Sequence, residues 1–132
     1  MLKKITLSII GAAFVSAAFV FFFSGPNNLT VLDGSAVFLT ADEQSSISEG
    51  MRNKLYDASS AQFRRLVRSK TMPRIICGEV NAKNKFGAYV GFVPFSAGLI
   101  GPAAMIAMPS ADVAESAPEA VRATQRKLGC DI

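Results

Sequence analysis

The sequence predicts an α+β fold, in which an N-terminal transmembrane helix precedes a small domain of antiparallel strands flanked by two helices. Residues 1–23 are strongly apolar, and residues 24–28 are rich in turn-forming residues. Residues 29–132 combine short β-branched runs with two segments of helical periodicity. A chain of 132 residues has room for one such domain after the apolar segment.

The apolar segment has the length of a membrane span. Residues 5–23 contain 19 positions without a charged residue or proline. As a helix they would extend about 29 Å, close to the ~30 Å hydrocarbon core of a bilayer. Lys3 and Lys4 precede them and are expected to stay in the cytoplasm. We therefore expect a single-pass signal anchor in a bacterial inner membrane, a linker at 24–28, and residues 29–132 in the periplasm.

Cleavage of this segment is the alternative. Ser16, Ala17 and Ala18 satisfy the small-x-small rule of signal peptides, although they lie inside the apolar run. Cleavage after Ala18 or near Ser24 would release a periplasmic or secreted protein.

The first elements of the domain are predicted as a hairpin and a helix. Asp33 and Gly34 separate two short apolar runs, which is typical of a hairpin. Thr40 and Glu43 have capping-box spacing, and apolar residues then recur every four positions, so a helix is expected from 41 to about 56. Asp57 is expected to begin a shorter helical turn that extends to residue 63.

Two strands should follow. Residues 74–80 are rich in β-branched residues, and 88–95 are their expected antiparallel partner. The asparagines and glycine of 81–87 tolerate positive φ and predict the hairpin loop between them.

An uncharged stretch at 86–108 also has the length of a second transmembrane helix, but six glycines and prolines interrupt it. Strands and turns accommodate these residues better, so residues 99–108 are predicted as a third extended, buried element. Ser116 and Glu119 repeat the capping-box spacing and predict a C-terminal helix that ends at Gly129.

Cys77 and Cys130 are the only cysteines, and they are predicted to form a disulfide. Closing this loop would stabilise the domain by roughly 4 kcal/mol. Two buried free thiols are the alternative.

The composition argues against an enzyme. The chain has no histidine, which excludes Ser/His/Asp triads, Cys/His pairs and His-ligated zinc. Ser69 and Lys70 are adjacent and would point to opposite faces of a strand, and Cys77 is better used in a bridge. We expect no catalytic residues, no metal site and no cofactor.

Two groups in the predicted hairpin are candidate binding residues. The side chains of Asn81, Lys83 and Asn84 could hold a sugar, a phosphate or a partner's backbone, although turn formation explains them without any ligand and is the simpler interpretation. Tyr89 and Phe92, together with Phe95, could form an aromatic stacking surface, with burial in the sheet core as the alternative.

The strongest run of positive charge lies just before the first predicted strand. It could face anionic lipid, nucleic acid or an acidic partner, or be ordinary solvated surface. Since the net charge is only +4 and few aromatic residues interleave with the run, nucleic acid is the least favoured partner. The run consists of Arg64, Arg65, Arg68, Lys70 and Arg74.

The stretch 60–95 resembles a family of small exported proteins of bacteria and their phages. The resemblance lies in Ser60-Ala61-x-Phe63-Arg64, in Cys77-Gly78-x-Val80-Asn81-Ala82-Lys83-Asn84, and in Gly87-x-Tyr89-x-Gly91-Phe92-x-Pro94-Phe95, with a later cysteine matched by Cys130. The family pattern has Asp-Pro where this chain has Asp57-Ala58. The resemblance implies a signal or anchor sequence attached to a small α+β domain, and it implies no established activity.

These observations predict a non-enzymatic, membrane-anchored envelope protein. Its extracytoplasmic domain would bind another envelope component through residues 81–95. The expected partners are the lipid of the inner membrane and a protein of the envelope. A cleaved inhibitor or binding module and a nucleic-acid-binding envelope protein are the alternatives.

Overall fold

A computed structural model describes residues 29–109 and 117–132 of the chain. The predicted transmembrane helix at 1–23 and the linker at 24–28 lie outside the described residues. Within the described ranges, neither helix is long and apolar enough to cross a bilayer.

Five strands form one sheet in which each strand neighbours the next in chain order. β1 runs parallel to β2, and every other pair is antiparallel. Two α-helices complete the fold, α1 (Ala41–Arg52) and α2 (Ala117–Lys127). The predicted α+β class, with mainly antiparallel strands and two helices, is confirmed. The strands are β1 (Thr30–Val31), β2 (Gln62–Arg68), β3 (Ile75–Asn81), β4 (Val93–Gly98) and β5 (Met105–Ala107).

Helix α1 begins as its sequence predicts. The Thr40 side chain accepts a hydrogen bond from the Glu43 backbone N–H, and the Glu43 carboxylate accepts one from the Thr40 N–H. Ile47 and Met51 are fully buried on its inner face. The helix ends at Arg52, four residues before the predicted end, and Leu55 packs against the core from the following loop.

The predicted hairpin at Asp33 and Gly34 is wrong. Residues before it form β1, and those after it form a 3-10 turn (Ser35–Phe38). The Asp33 carboxylate instead accepts hydrogen bonds from the backbone N–H groups of Ser35 and Arg65. Because the Arg65 bond ties the loop to β2, tertiary contacts override the local turn preference.

The helical turn predicted after Asp57 is present, but its predicted extension to residue 63 is wrong. A 3-10 turn (Ala58–Ser60) ends early, and β2 begins at Gln62. A bulge between Arg64 and Val67 puts Phe63 and Leu66, which are three residues apart, both into the core. The bulge conceals the alternation by which a strand is recognised.

The hairpin after β3 is present, but its second strand starts later than predicted. β4 begins at Val93, which pairs with Val80, so residues 82–92 form a long connection. One isolated bridge, between Lys83 and Tyr89, lies within it. The predicted third element is extended only at β5, where Ile106 is buried.

The two helices pack on opposite faces of the sheet. On the α1 face, Gly78 of β3 leaves room for Leu66 and Phe95; a Cβ added at Gly78 would lie 2.5 Å from Leu66 Cδ2. The Phe95 ring meets Phe63 edge-on, with 5.8 Å between centroids. The core therefore closes over the position where β3 has no side chain.

Helix α2 is fixed to the other face by a disulfide and a buried amide. Cys77 of β3 is bonded to Cys130, with 6.2 Å between their Cα atoms, which confirms the predicted bridge. The Gln125 amide donates hydrogen bonds to the carbonyl oxygens of Gly78 and Phe95. As predicted, Gly129 follows the helix, with φ of 80°; the predicted cap residue Ser116 lies outside the described residues.

Candidate functional site

The predicted binding amides hold the backbone of the connection at 82–92. Asn84 Oδ1 accepts hydrogen bonds from the backbone N–H groups of Phe86 and Ala88, at 2.9 and 3.2 Å. Asn81 Oδ1 accepts one from the Gly91 N–H at 3.1 Å. Both side chains therefore form turns, as the alternative interpretation of the sequence had it.

The same connection is fastened to the Ala58–Ser60 turn. The Tyr89 hydroxyl donates a hydrogen bond to the Ser60 carbonyl oxygen at 2.9 Å, and the Lys83 backbone N–H donates one to Ser60 Oγ at 2.8 Å. Residues 60 and 81–91, which carry much of the family resemblance, thus form one hydrogen-bonded unit. Hydrogen bonds within the chain hold this unit in place, so its conformation does not depend on a bound ligand.

The predicted aromatic residues do not share one surface. Phe95 is fully buried in the core. The Phe92 ring is covered by the Arg64 guanidinium, whose Cζ lies 3.8 Å from the ring centroid. Only Tyr89 is exposed, with the Lys83 ammonium 5.7 Å from its ring.

What remains accessible around the connection is a set of lysines and large apolar side chains. Tyr56, Phe86 and Val90 are 77%, 82% and 68% exposed. Several of these residues line a groove of about 170 Å³ between the segment after α1 and the connection. We call this the loop-end surface; it consists of Lys54, Tyr56, Lys83, Lys85, Phe86 and Val90.

The loop-end surface carries positive charge without paired carboxylates. Among the described residues, none of its three lysines lies in an ion pair. Asp57 is the acidic residue beside it: the hydrogen bond from Ser59 Oγ lowers the pKa of the Asp57 carboxyl, and the nearby Lys83 charge adds to the effect. The carboxyl therefore stays ionised next to Lys83, which offsets part of the lysine charge.

The predicted basic run is arranged differently. Arg64 and Arg65 both contact the buried carboxylate of Glu79, Arg68 contacts Glu43 at 2.8 Å, and Lys70 contacts Asp131. In the described part of the chain, Arg74 is the member of the run without such a pair. Most of the run therefore joins structural elements to one another.

Of the loop-end surface, the sequence singled out Lys83 as a candidate binding residue and missed the other five members, Lys54, Tyr56, Lys85, Phe86 and Val90. One available signal was the position of Phe86, between Lys85 and Gly87 in a predicted turn. A large aromatic residue at the tip of a turn has few partners to pack against, and here it is exposed.

The side chains considered for catalysis have structural partners. Ser69 Oγ donates to the Leu128 carbonyl oxygen and accepts from the Met72 N–H. Lys70 is paired with Asp131, and Cys77 is in the disulfide. Within residues 29–109 and 117–132, no group of three or more Cys, Asp or Glu side chains is arranged to hold a metal ion.

Comparison with known proteins finds no matching family model, no matching curated protein and no matching solved structure. The resemblance of residues 60–95 to small exported proteins therefore remains an expectation that rests on those residues.

Proposed function

We propose that this chain is a non-enzymatic, membrane-anchored envelope protein whose extracytoplasmic domain binds another envelope component. Residues 1–23 supply the single-pass anchor of the inner membrane, residues 24–28 the linker, and residues 29–132 the periplasmic domain. The resemblance to small exported proteins points the same way.

The observation that carries this proposal is the disulfide between Cys77 and Cys130, in a chain that also contains an uncharged apolar run of bilayer length. Structural disulfides persist in oxidising compartments and are rare in the cytosol. The bridge and the apolar run therefore support the same topology. They are independent features, since one lies in the folded domain and the other precedes it.

The loop-end surface supports the binding role. Three of its large apolar side chains, Tyr56, Phe86 and Val90, are more than two-thirds exposed, and Tyr56 and Val90 line one groove; exposed apolar groups of this kind mark interaction surfaces. The engagement of Ser69, Lys70 and Cys77 in structural contacts, together with the absence of histidine from the sequence, supports a non-enzymatic role.

The test is membrane fractionation of the full chain carrying alkaline phosphatase behind Ile132. We expect phosphatase activity, retention in the membrane after alkaline carbonate washing, and an intact mass that includes residues 1–23. A matched variant with Ile10→Arg and Val15→Arg should lose the phosphatase activity and the membrane retention, while its mass still includes residues 1–23 because a chain that is not exported is not cleaved. A mass beginning after Ala18 or near Ser24 would replace the anchor with a released protein.

A further inference from the structure

We propose that the loop-end surface contacts the anionic lipid headgroups of the membrane that anchors the chain. This inference rests on the proposed anchoring and names the envelope component that the surface meets. Three independent observations support it: where the chain enters the domain, which charges are unpaired, and which apolar groups lie among them.

The chain enters the domain at the end of the sheet that carries the loop-end surface. Thr30, at the start of β1, is in register with Gln62, and Gln62 is in register with Asn81, after which the 82–92 connection begins. Leu29 lies in a depression formed partly by Ala58 and Ser59, in the turn to which the connection is fastened. Entry point and surface therefore lie at the same end of the molecule.

The linker is too short to place that end far from the bilayer. Six residues, 24–29, separate the apolar run from β1. Even fully extended they span only about 20 Å. With residues 5–23 in the membrane, the sheet end that carries the loop-end surface must lie near the headgroups.

The unpaired charges suit an anionic surface. Lys54, Lys83 and Lys85 lie at this end and lack ion pairs within the described ranges. Asp57 offsets part of the charge of Lys83, and the surface remains net positive. Headgroups of anionic phospholipids attract such lysines over distances of about a Debye length.

The apolar groups suit the boundary between headgroups and acyl chains. Phe86 is at the tip of the connection with the Lys85 ammonium 5.3 Å from its ring, and Tyr56 and Val90 flank the groove behind it. Aromatic rings bordered by lysines are typical of protein segments at membrane interfaces. Single-stranded nucleic acid would instead need several aromatic rings along one groove, on which successive bases could stack. Among the residues that line this groove, Tyr56 is the aromatic one, and Val90 offers no ring for a second base.

The surface is also ordered in advance. Asn84 and Ser60 hold the connection through backbone hydrogen bonds, so Lys83, Lys85 and Phe86 are presented without a loop having to fold on contact. The connection therefore loses little conformational entropy when it contacts the membrane, which favours binding to the lipid headgroups.

The test uses the full chain, with its disulfide intact, reconstituted into lipid vesicles. A fluorophore sensitive to polarity is attached to a single introduced cysteine at Phe86→Cys; Val90→Cys is the second position in case the first variant does not fold. The control is Val37→Cys, because Val37 is 91% exposed and lies in the 3-10 turn beside Arg68, at the opposite end of β2. The vesicles contain phosphatidylcholine alone or mixed with phosphatidylglycerol, with brominated lipid as quencher.

We expect the fluorophore at position 86 or 90 to be quenched in the anionic vesicles and much less in neutral ones, whereas that at position 37 stays unquenched in both. Replacing Lys54, Lys83 and Lys85 with glutamine should reduce the quenching several-fold. A protein that resists carbonate extraction but shows no quenching at 86 and 90 would overturn the headgroup contact while leaving the anchor in place. Loss of the protein on extraction would overturn the anchor itself. A fluorophore that responds to added oligonucleotide and not to anionic lipid would assign the surface to nucleic acid instead.

Discussion

Arg64 and Arg65 are consecutive residues of one strand, and both contact the carboxylate of Glu79. Arg64 Nε lies 2.7 Å from Glu79 Oε2, and Arg65 Nη1 lies 3.2 Å from Oε1. Consecutive side chains of a regular strand point to opposite faces, so this arrangement requires the bulge in β2. The bulge leaves Arg65 at φ of 54°, and the Asp33 carboxylate accepts its backbone N–H.

The strain at Arg65 should be measurable. A left-handed conformation costs an L-residue roughly 1–2 kcal/mol, and glycine adopts it freely. Arg65→Gly and Arg65→Ala both remove the contact with Glu79, but only the glycine variant relieves the backbone. We expect the glycine variant to be more stable by about 1 kcal/mol in urea unfolding of the detergent-solubilised chain. Equal stability of the two variants would show that the backbone is not strained there.

Gly78 should tolerate no side chain. A Cβ there would lie 2.5 Å from Leu66 Cδ2 and 3.1 Å from Phe95 Cε1, so Gly78→Ala should destabilise the domain by about 1–3 kcal/mol. Gly98 is the matched control in the neighbouring strand, because the closest atom to its added Cβ is 3.8 Å away. Gly98→Ala should leave the urea midpoint unchanged or raise it slightly. A similar loss in both variants would contradict the packing described for Gly78.

Glu43 should make stability depend on pH. The hydrogen bond from Arg68 holds the pKa of the Glu43 carboxyl below its ordinary value of 4.5. Because the folded-state pKa is depressed, this stabilisation is complete above the ordinary value and is lost as the pH falls through the folded-state pKa.

Glu43→Gln keeps a capping-box residue and removes the charge. The variant should be less stable than the wild type by up to about 1 kcal/mol at neutral pH, and the difference should shrink as the pH falls below the ordinary carboxyl value of 4.5. Urea midpoints measured across this range check it. A difference that grows as the pH falls would have the wrong sign.

Substitutions at Asn84 test whether its side chain stabilises the turn. Asn84→Ala removes the acceptor of two backbone hydrogen bonds and should destabilise the 82–92 connection by about 1 kcal/mol. Asn84→Asp keeps an acceptor and should lose less. Faster amide hydrogen exchange at Phe86 and Ala88 in the alanine variant is the readout, and unchanged exchange would speak against the turn role.

Local signals predicted the elements that local interactions determine. The sequence predicted the capping box at Thr40 and Glu43, the glycine after α2 and the strand at β3, since each depends on neighbouring residues. The Cys77–Cys130 bridge followed from the cysteine count and the expected compartment.

Features that depend on contacts between residues distant in the sequence could not be predicted from it. The role of Asp33 depends on Arg65, which is 32 residues away, and β2 was hidden by its bulge. The loop-end surface joins the segment after α1 to the 82–92 connection, and only the fold brings Lys54 and Tyr56 beside Lys83. For the same reason the ion pairs that neutralise most of the basic run could not be assigned from the sequence.

The redox state of Cys77 and Cys130 in the cell tests the central proposal most directly. Bacteria expressing the full chain with its own N-terminus are quenched in acid and denatured, and the thiols are then alkylated with a maleimide polymer before or after reduction. An exported, oxidised domain predicts no added mass before reduction and two polymer chains after it. Labelling of both cysteines without reduction would place the domain in a reducing compartment and contradict the account.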